Sequence, residues 1–229
     1  AGVRMVAIDE PYSKIENWFW VDDRPGYAPL LFAMGARTLA FVPIRYSLIT
    51  EGAADMILLP AVIKSATRVD SLGYQVVPGL SSASSGDIAI LDNESSRTAY
   101  LCDADEEGRR IKSKILAAGV QEEKVHLLPE DGSVIEDYIN IESYVNAVNI
   151  ELYRSGVTEK ITADELDGFN RPKKLERWCN QKKVGCPSKR AVAYHLIENR
   201  YEHEVATEAL RKTLNDLHQR ISRSLGVTS

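Results

Sequence analysis

Cysteine is scarce in this chain: there are three in 229 residues, and no two stand in a C-x-x-C pair. An odd number so small cannot form a disulfide scaffold, so it favours a reducing compartment, and we expect a cytoplasmic protein. No apolar run approaches the roughly 20 residues that a membrane helix needs, and the first residues lack the order of a signal peptide. Secreted and membrane-spanning classes are therefore set aside.

Motifs for nucleotide binding and for His-based hydrolysis are also missing. No G-x-x-x-x-G-K-[ST] sequence occurs, so the chain is not expected to hold nucleotide phosphates in a P-loop. None of the four His residues has a recognisable nucleophile context. Cys179, Cys186 and His195 match the spacing of no common zinc site.

What the chain does contain is ordinary globular composition with an uneven charge. It is 44% hydrophobic and 27% charged, which is enough apolar material for a sizeable core. Residues 1–150 carry 13 Lys/Arg against 22 Asp/Glu, and residues 151–229 carry 15 against 11, so the two parts are −9 and +4. This asymmetry suits a protein that binds cations at one place and a polyanion nearby, although a solvated surface would also account for it.

The middle of the chain alternates strand and helix patterns, which predicts an α/β fold with a mostly parallel sheet. Helices are predicted at residues 53–66 and 106–118, the second closed by Gly119, and residues 78–87 are predicted to form a loop. The predicted strands are residues 47–50, 74–77, 98–102 and 125–128.

The flanks are less regular. We expect strands at residues 3–8 and 18–21, a strand or short helix at 30–34, and helices at 191–199 and 204–225. The chain begins without Met, which suggests that it was processed or cut from something longer. The predicted organisation is a linking segment at 1–46, a catalytic α/β domain at 47–150 and a basic helical region at 151–229.

Acidic residues follow two of the predicted strands. Glu51 ends the first, Asp55 lies one helical turn further on, and Asp103 and Asp105 follow the third. Because the carboxyl ends of parallel strands share one edge, we expect the four carboxylates to meet there, with Gly52 letting the chain turn. Clustered carboxylates repel unless a cation neutralises them, and an oxygen-only set favours Mg²⁺ or Mn²⁺.

A plainer interpretation exists for each of these acids taken alone. Asp105 is well placed to cap the helix that begins at residue 106, and Glu51 and Asp55 could be solvated acids at a helix start. Their joint position at the ends of separate strands favours a metal site over these separate explanations.

These residues carry a resemblance. The Glu-Gly turn after one strand and the Asp-x-Asp after a later one resemble the TOPRIM domain. Within TOPRIM proteins the sequence is similar to nucleases of the overcoming-lysogenisation-defect (OLD) family. That likeness spans residues 48–199 and rests on EGAAD at 51–55, LPEDGSVIEDYI at 128–139 and PSKRAVAYHLIEN at 187–199.

The resemblance implies site residues. It assigns Glu51, Asp55, Asp103 and Asp105 to metal binding, together with Glu136 and Ser133 after the fourth strand, and it leaves Asp137 as the alternative to Glu136. Glu51, Asp103 and Asp105 are also the expected catalytic residues. Lys189 matches a basic residue near the scissile phosphate, although a Lys just before a helix is often only solvated.

The activity implied by the resemblance is endonucleolytic cleavage of DNA with two Mg²⁺ or Mn²⁺ ions, in defence against phage. OLD-family proteins resemble a fusion of an ATPase with such a nuclease, so residues 1–46 would be the end of an ATPase domain. ATP would act only through that absent domain, and a homodimer is implied. The alternatives are a TOPRIM primase-like nucleotidyl transferase and a non-catalytic nucleic-acid-binding module.

Two further segments suggest contacts with DNA. Residues 171–190 contain eight Lys/Arg and one acid, which suits phosphate binding, and Trp178 within them is predicted to be core rather than a base-stacking residue. The loop at 81–86 could approach a phosphate with backbone N–H groups, or it could be a simple connector. Cys102 is expected to be a buried strand residue.

Overall fold

The structure is a computed structural model that describes residues 5–9, 12–16, 46–94, 97–198 and 208–227, with side chains over 46–93, 97–197 and 210–227. The chain divides into two compact units, Ala1–Pro43 and Ile44–Ser229.

The first unit contains a two-stranded antiparallel sheet. Strand β1 (Met5–Asp9) pairs with β2 (Tyr12–Glu16), with Asp9 opposite Tyr12. The prediction of a strand at residues 3–8 is confirmed within these bounds, whereas β2 was not predicted. The segments predicted at 18–21 and 30–34 lie outside the described residues.

The second unit alternates strands and helices. Its strands are β3 (Ser47–Thr50), β4 (Gln75–Pro78), β5 (Thr98–Cys102) and β6 (Val125–Leu127). Its described helices are α1 (Ala53–Thr67), α2 (Ser85–Glu94), α3 (Glu106–Ala117), α4 (Ile141–Arg154), α5 (Ala163–Leu166), α6 (Arg171–Lys182), α7 (Lys189–Glu198) and α8 (Glu208–Leu225). Two 3₁₀ turns, Glu122–Lys124 and Ile135–Tyr138, flank β6 and the loop that follows it.

The four strands form one parallel sheet in the order β4-β3-β5-β6. Leu48 lies opposite Val76 on one side and Ala99 on the other, and Tyr100 lies opposite Val125. The predicted α/β class with a parallel sheet is confirmed. This order makes β3 and β5 the central, adjacent strands, so the residues that follow them emerge side by side at the same edge.

The central strands are buried on both faces, as expected of a parallel sheet covered by helices. Leu48, Ala99 and Leu101 belong to a large core that also contains residues of α1 and α8, such as Leu59 and Leu217. The alternating residues point to the opposite face because side chains alternate along a strand. They are Ile49, Tyr100 and Cys102, all fully buried; Cys102 is thus the buried strand residue that was expected.

The C-terminal helices pack on the same core rather than forming a separate one. Helix α1 contacts both α7 and α8, and Leu196, Leu214 and Ile221 are buried in the core cluster with the sheet residues. The predicted division at residue 150 stays a prediction. Helices before and after residue 150 in the sequence pack in the same hydrophobic core.

The largest differences from the predicted elements are helices that were missed. Helix α2 begins at Ser85, inside the predicted loop, because Ser84 accepts from the backbone N–H of Asp87 and Asp87 accepts from that of Ser84. Helices α4 and α6 were not predicted either; in α6 the Lys and Arg residues obscure an apolar face formed by Leu175, Trp178 and Cys179. Within the described part of the chain, no helix is long and apolar enough to cross a membrane.

Candidate active site

Glu51 and Asp103 meet at the carboxyl edge of the sheet. Each directly follows a buried central strand, β3 and β5 respectively. A hydrogen bond joins them: the backbone N–H of Asp103 donates to Oε1 of Glu51 at 2.9 Å. The expectation that acids from these two strands lie together is met by this contact.

Asp55 is brought to the same edge by the start of α1. Its Oδ2 accepts from the backbone N–H of Gly52 at 2.8 Å, an N-terminal capping bond. The chain bends at Glu51 and Gly52, as expected. Gly52 has an extended backbone (φ −146°) that any residue adopts, and a Cβ on it would meet no heavy atom within 4 Å, so the bend does not require glycine.

Asp105 caps α3, as the plainer interpretation held. Its Oδ1 accepts from the backbone N–H of Gly108 at 2.9 Å, and Glu106 and Glu107 favour the helix start by their charge. Gly108 was missed as a site residue. A Cβ on it would lie 2.1 Å from the backbone oxygen of Asp103, so only glycine lets α3 lie this close to the end of β5.

The 3₁₀ turn at Ile135–Tyr138 carries two acids with different surroundings. Asp137 accepts from three backbone N–H groups, those of Val134, Asn170 and Arg171. Glu136 is 3% exposed, and its Oε1 has no hydrogen-bond partner within the described residues. The two acids therefore differ in their contacts: Asp137 accepts hydrogen bonds that hold the backbone in place, whereas Glu136 keeps one carboxylate oxygen without a hydrogen bond.

Ser133 is buried, and its hydroxyl is engaged within the protein. It donates to the backbone oxygen of Glu130 at 2.6 Å and lies 3.0 Å from the Tyr138 hydroxyl. Its assignment as a metal ligand stays a prediction, because nothing in these contacts requires a cation.

Five carboxylates form what we call the acidic cluster: Glu51, Asp55, Asp103, Asp105 and Glu136. Burial raises the pKa of Asp103 well above its usual range, and the charges of the other four members raise it further. Burial likewise raises the pKa of Glu51 to about 7, with the charges of Asp55 and Asp105 acting in the same direction. Residues from four separate points in the chain thus share one electrostatic environment.

Lys189 is a basic residue whose charge acts on two members of this cluster. It opens α7 and is exposed. Burial raises the pKa of Glu136 to about 7 and also raises that of Asp55, and in both cases the Lys189 charge acts to lower it. One ammonium group offsets only a fraction of five carboxylates, so the cluster keeps an excess of negative charge.

The donor set suits a hard divalent cation. All five groups are carboxylates, burial and the charges of neighbouring carboxylates raise the pKa of Asp103, and a buried Glu136 oxygen lacks a hydrogen-bond partner within the described residues. Across the described residues, no three His, Cys, Asp or Glu side chains are already drawn together closely enough to hold an ion. Binding would therefore require the side chains of the cluster to rotate towards one another.

Asn170 is a second residue that sequence reasoning missed. It precedes α6 in the left-handed conformation (φ 59°), and its Nδ2 donates to Asp105 Oδ2 at 2.9 Å across 65 positions of sequence. Its backbone N–H donates to Asp137 at 2.7 Å. Only the Gly-Phe-Asn turn before the helix hinted at this geometry, since Asn tolerates positive φ.

The basic segment at 171–190 divides into buried and exposed parts. Arg171 is buried and donates to the backbone oxygens of Glu136 and Ile139, so its predicted place in a DNA-binding surface is wrong. Trp178 is 5% exposed and donates to Glu165, which confirms it as a core residue. Lys173, Arg177, Lys182 and Lys183 are exposed.

The serine-rich loop at residues 81–86 is held in place by hydrogen bonds to backbone oxygens. Ser81 donates to the backbone oxygen of Glu51 through both its N–H and its hydroxyl, and the N–H groups of Ser82 and Ala83 donate to Gly79. These donors are already used inside the protein, so the loop behaves as a connector rather than as a phosphate cradle.

Three solved structures are similar to this chain. Two are of the C-terminal region of the OLD protein of Xanthomonas campestris pv. campestris, one phased with mercury and one with iodine. Both have a TM-score of 0.50 and 16% sequence identity to this chain. The match covers 80% of this chain for the mercury structure and 82% for the iodine structure, and 98% of the matched chain in both. The C-terminal region of the Burkholderia pseudomallei OLD protein has a TM-score of 0.49 and 14% identity, with 80% of this chain and 99% of that one covered.

This chain has the fold of the OLD C-terminal region. The TOPRIM fold expected from the Glu-Gly and Asp-x-Asp motifs is thereby confirmed, together with the helical region that follows it. No family model and no curated protein sequence matches the chain. The OLD likeness concerns the fold alone.

Proposed function

We propose that this chain is the nuclease module of an OLD-type protein and hydrolyses DNA phosphodiester bonds with divalent metal ions. The observation that carries the proposal is the acidic cluster: burial and the charges of the four other carboxylates raise the pKa of Asp103, and Glu136 keeps a buried oxygen without a partner within the described residues. Such an arrangement is unfavourable in the isolated protein and favourable around cations.

Each member of the site has a part in this proposal. Glu51, Asp55, Asp103, Asp105 and Glu136 would hold the cations, and Ser133 is an additional candidate. When bound, divalent cations would activate a water molecule for attack on phosphorus and offset charge on the leaving oxygen. Lys189 would bind a phosphoryl oxygen and offset the negative charge that grows there.

The biological setting rests on the resemblance in sequence. We propose, on that ground, a role in defence against phage, an ATPase domain or subunit as partner, and a homodimer; the low cysteine content is the ground for proposing a cytoplasmic location. ATP would affect this chain only through the ATPase.

The proposal is tested by incubating the protein with supercoiled plasmid and Mg²⁺ or Mn²⁺. We expect nicking or linearisation that is abolished by EDTA and lowered at least about 100-fold by Asp103→Asn, since one ligand charge is lost. Glu123→Gln, which changes an exposed acid on the turn before β6, is the matched control and should keep full activity.

A stability measurement separates loss of chemistry from loss of fold. Because burial and four like charges raise the pKa of Asp103, Asp103→Asn should raise the melting temperature in EDTA while it removes cleavage. Absence of cleavage by the wild-type protein with either metal would reject the nuclease. Primer synthesis from nucleoside triphosphates on single strands would favour the primase-like alternative instead.

A further inference from the structure

A cavity of about 340 Å³ opens beside the acidic cluster, at the free edge of the sheet. It runs along β6, the edge strand, and side chains of α3 and α8 form its other walls. Its volume lies at the lower end of the range typical of small-ligand sites, and it is open to solvent on one side.

The residues that line the cavity carry an excess of positive charge. Arg109 and Lys112 of α3 and Arg220 of α8 line it, against a single lining carboxylate, that of Asp131. Arg109 and Lys112 come from residues 1–150, which carry nine more negative than positive charges, and Arg220 comes from the basic part of the chain at 151–229. Three permanent charges against one leave room for an anion.

The partners of these cations are weak competitors for an incoming anion. Arg109 pairs with Asp131, whose side chain is 90% exposed, and Lys112 lies 3.6 Å from Glu122, whose side chain is 77% exposed. Arg220 forms no ion pair with any residue that the structure describes. Exposed pairs of this kind contribute little stability, so a bound anion can replace the carboxylates.

His126 forms part of the cavity wall and is subject to the field of these cations. It is 7% exposed, and its Nε2 lies 3.0 Å from the hydroxyl of Ser224. Burial, together with the charges of Arg220 and Lys112, lowers the pKa of His126 to about 4. The imidazole is therefore neutral at pH 7 and reports on the cavity without adding charge to it.

The position of the cavity relates it to the acidic cluster. Ala104 lines it, and Ala104 stands between Asp103 and Asp105, so the opening begins one residue, about 3.8 Å along the chain, from each. Two backbone bonds fix this residue: its N–H donates to Ser133 at 2.9 Å and its oxygen accepts from Gly132 at 3.0 Å.

We propose that this basic cavity binds a phosphate of the DNA substrate. The phosphate meant is the neighbour, along the same strand, of the phosphate held at the acidic cluster. The inference rests on the nuclease proposed above. Carboxylates repel the phosphates that flank a scissile bond, so a strand held there needs cations on either side of the cluster. Successive phosphates of a duplex strand rise by about 3.4 Å, so a neighbouring phosphate falls within reach of the opening.

The test measures DNA binding without metal, so that cleavage plays no part. Fluorescence anisotropy of a labelled oligonucleotide in EDTA, single-stranded and duplex, is compared for the wild type, Arg220→Gln and Arg223→Gln. Arg223 is exposed on the same helix and does not line the cavity, which makes it the matched control. We expect Arg220→Gln to weaken binding by about 3–10-fold at low salt and to reduce the salt slope by about 1, with no such change for Arg223→Gln.

A second readout locates the anion. Titration of the wild type with inorganic phosphate, followed by NMR of the His126 ring, should shift its signals, and Arg220→Gln should suppress the shift. Equal effects of the two Arg variants on DNA binding would overturn the proposal. So would a phosphate response at His126 with an unchanged DNA salt slope, which would indicate a small-anion site instead. If Arg220→Gln weakens DNA binding as expected but the wild-type protein cleaves no DNA, the proposed nuclease activity is rejected and the proposed phosphate contact is supported.

Discussion

At the scale of single residues, the candidate site is defined by carboxylates that the protein only partly satisfies. Asp137 is held by three backbone N–H groups, whereas Glu136 beside it keeps a buried oxygen without a partner. Buried polar atoms are normally paired, because leaving one unpaired costs about 1–3 kcal/mol. The contrast between the adjacent acids gives Asp137 a structural role and is the ground on which Glu136 is proposed as a ligand.

Asn170 offers a test of how Asp105 is oriented. Asn170→Gly removes the carboxamide that donates to Asp105 Oδ2 but keeps the positive φ at no cost. We expect Mn²⁺ affinity to fall by about 10-fold or more in titration calorimetry, as for other residues that orient a ligand, with nearly unchanged melting in EDTA.

The matched control for this substitution is Arg68→Gly. Arg68 is exposed at the end of α1 and has the same left-handed backbone (φ 60°). Its replacement by Gly therefore measures the effect of a Gly substitution at a left-handed position away from Asp105. Equal Mn²⁺ affinities for the two variants would show that Asn170 does not act through Asp105.

Gly108 tests the close approach of α3 to the end of β5. Gly108→Ala should lower the free energy of unfolding by about 2–3 kcal/mol in urea titrations, because its Cβ would overlap the Asp103 backbone. Gly86→Ala is the comparison: its Cβ would lie 3.7 Å from the Ser84 hydroxyl, an ordinary contact, and Ala favours the helix by about 0.5–1 kcal/mol. If both variants are equally stable, α3 does not need glycine there.

At the scale of elements, the sequence predicted the sheet better than the helices around it. All four strands of the parallel sheet were predicted, since short segments with apolar centres, such as SLIT in β3 and TAYLC in β5, are followed by Glu-Gly and Asp signals. Helices α4 and α6 were missed, because polar and basic residues outnumber the apolar positions that face the core. The acids after β3 and β5 could be placed from strand order alone, whereas the Asn170 contact spans 65 positions and has no local signal.

Helix α8 gives the test at this scale. Leu217 is fully buried in the core shared with the sheet, so Leu217→Ala should lower the free energy of unfolding by about 2–5 kcal/mol. Gln219→Ala, on the exposed side of the same helix, should change it by less than about 0.5 kcal/mol. In urea, a Leu217→Ala protein that unfolds α8 without weakening the sheet would contradict a common core.

At the scale of the whole molecule, the acidic cluster links stability to pH and, under the proposed function, to metal. The folded protein holds protons on Glu51 and Glu136 up to a pKa of about 7, while the unfolded chain releases them near 4.5. Between these values the native state binds more protons than the unfolded state, so the contribution of these groups to stability falls as pH rises.

We therefore expect the melting temperature in EDTA to fall between pH 5 and pH 7.5. Mn²⁺ at about 100 times its dissociation constant should raise it by roughly 5–10 °C at pH 7.5, and by less at pH 5, because the ligands must first lose their protons. A melting temperature that rises with pH in EDTA, or an equal effect of Mn²⁺ at both values, would contradict the linkage.

The central claim is that carboxylates from separate strands and from the 3₁₀ turn bind divalent cations at one edge of the sheet. The most direct measurement is the anomalous scattering of Mn²⁺ soaked into crystals of the protein. Peaks within about 2.0–2.3 Å of oxygens of Glu51, Asp103 and Glu136 are the predicted result. Full occupancy elsewhere, with no peak among these three residues at millimolar Mn²⁺, would contradict it.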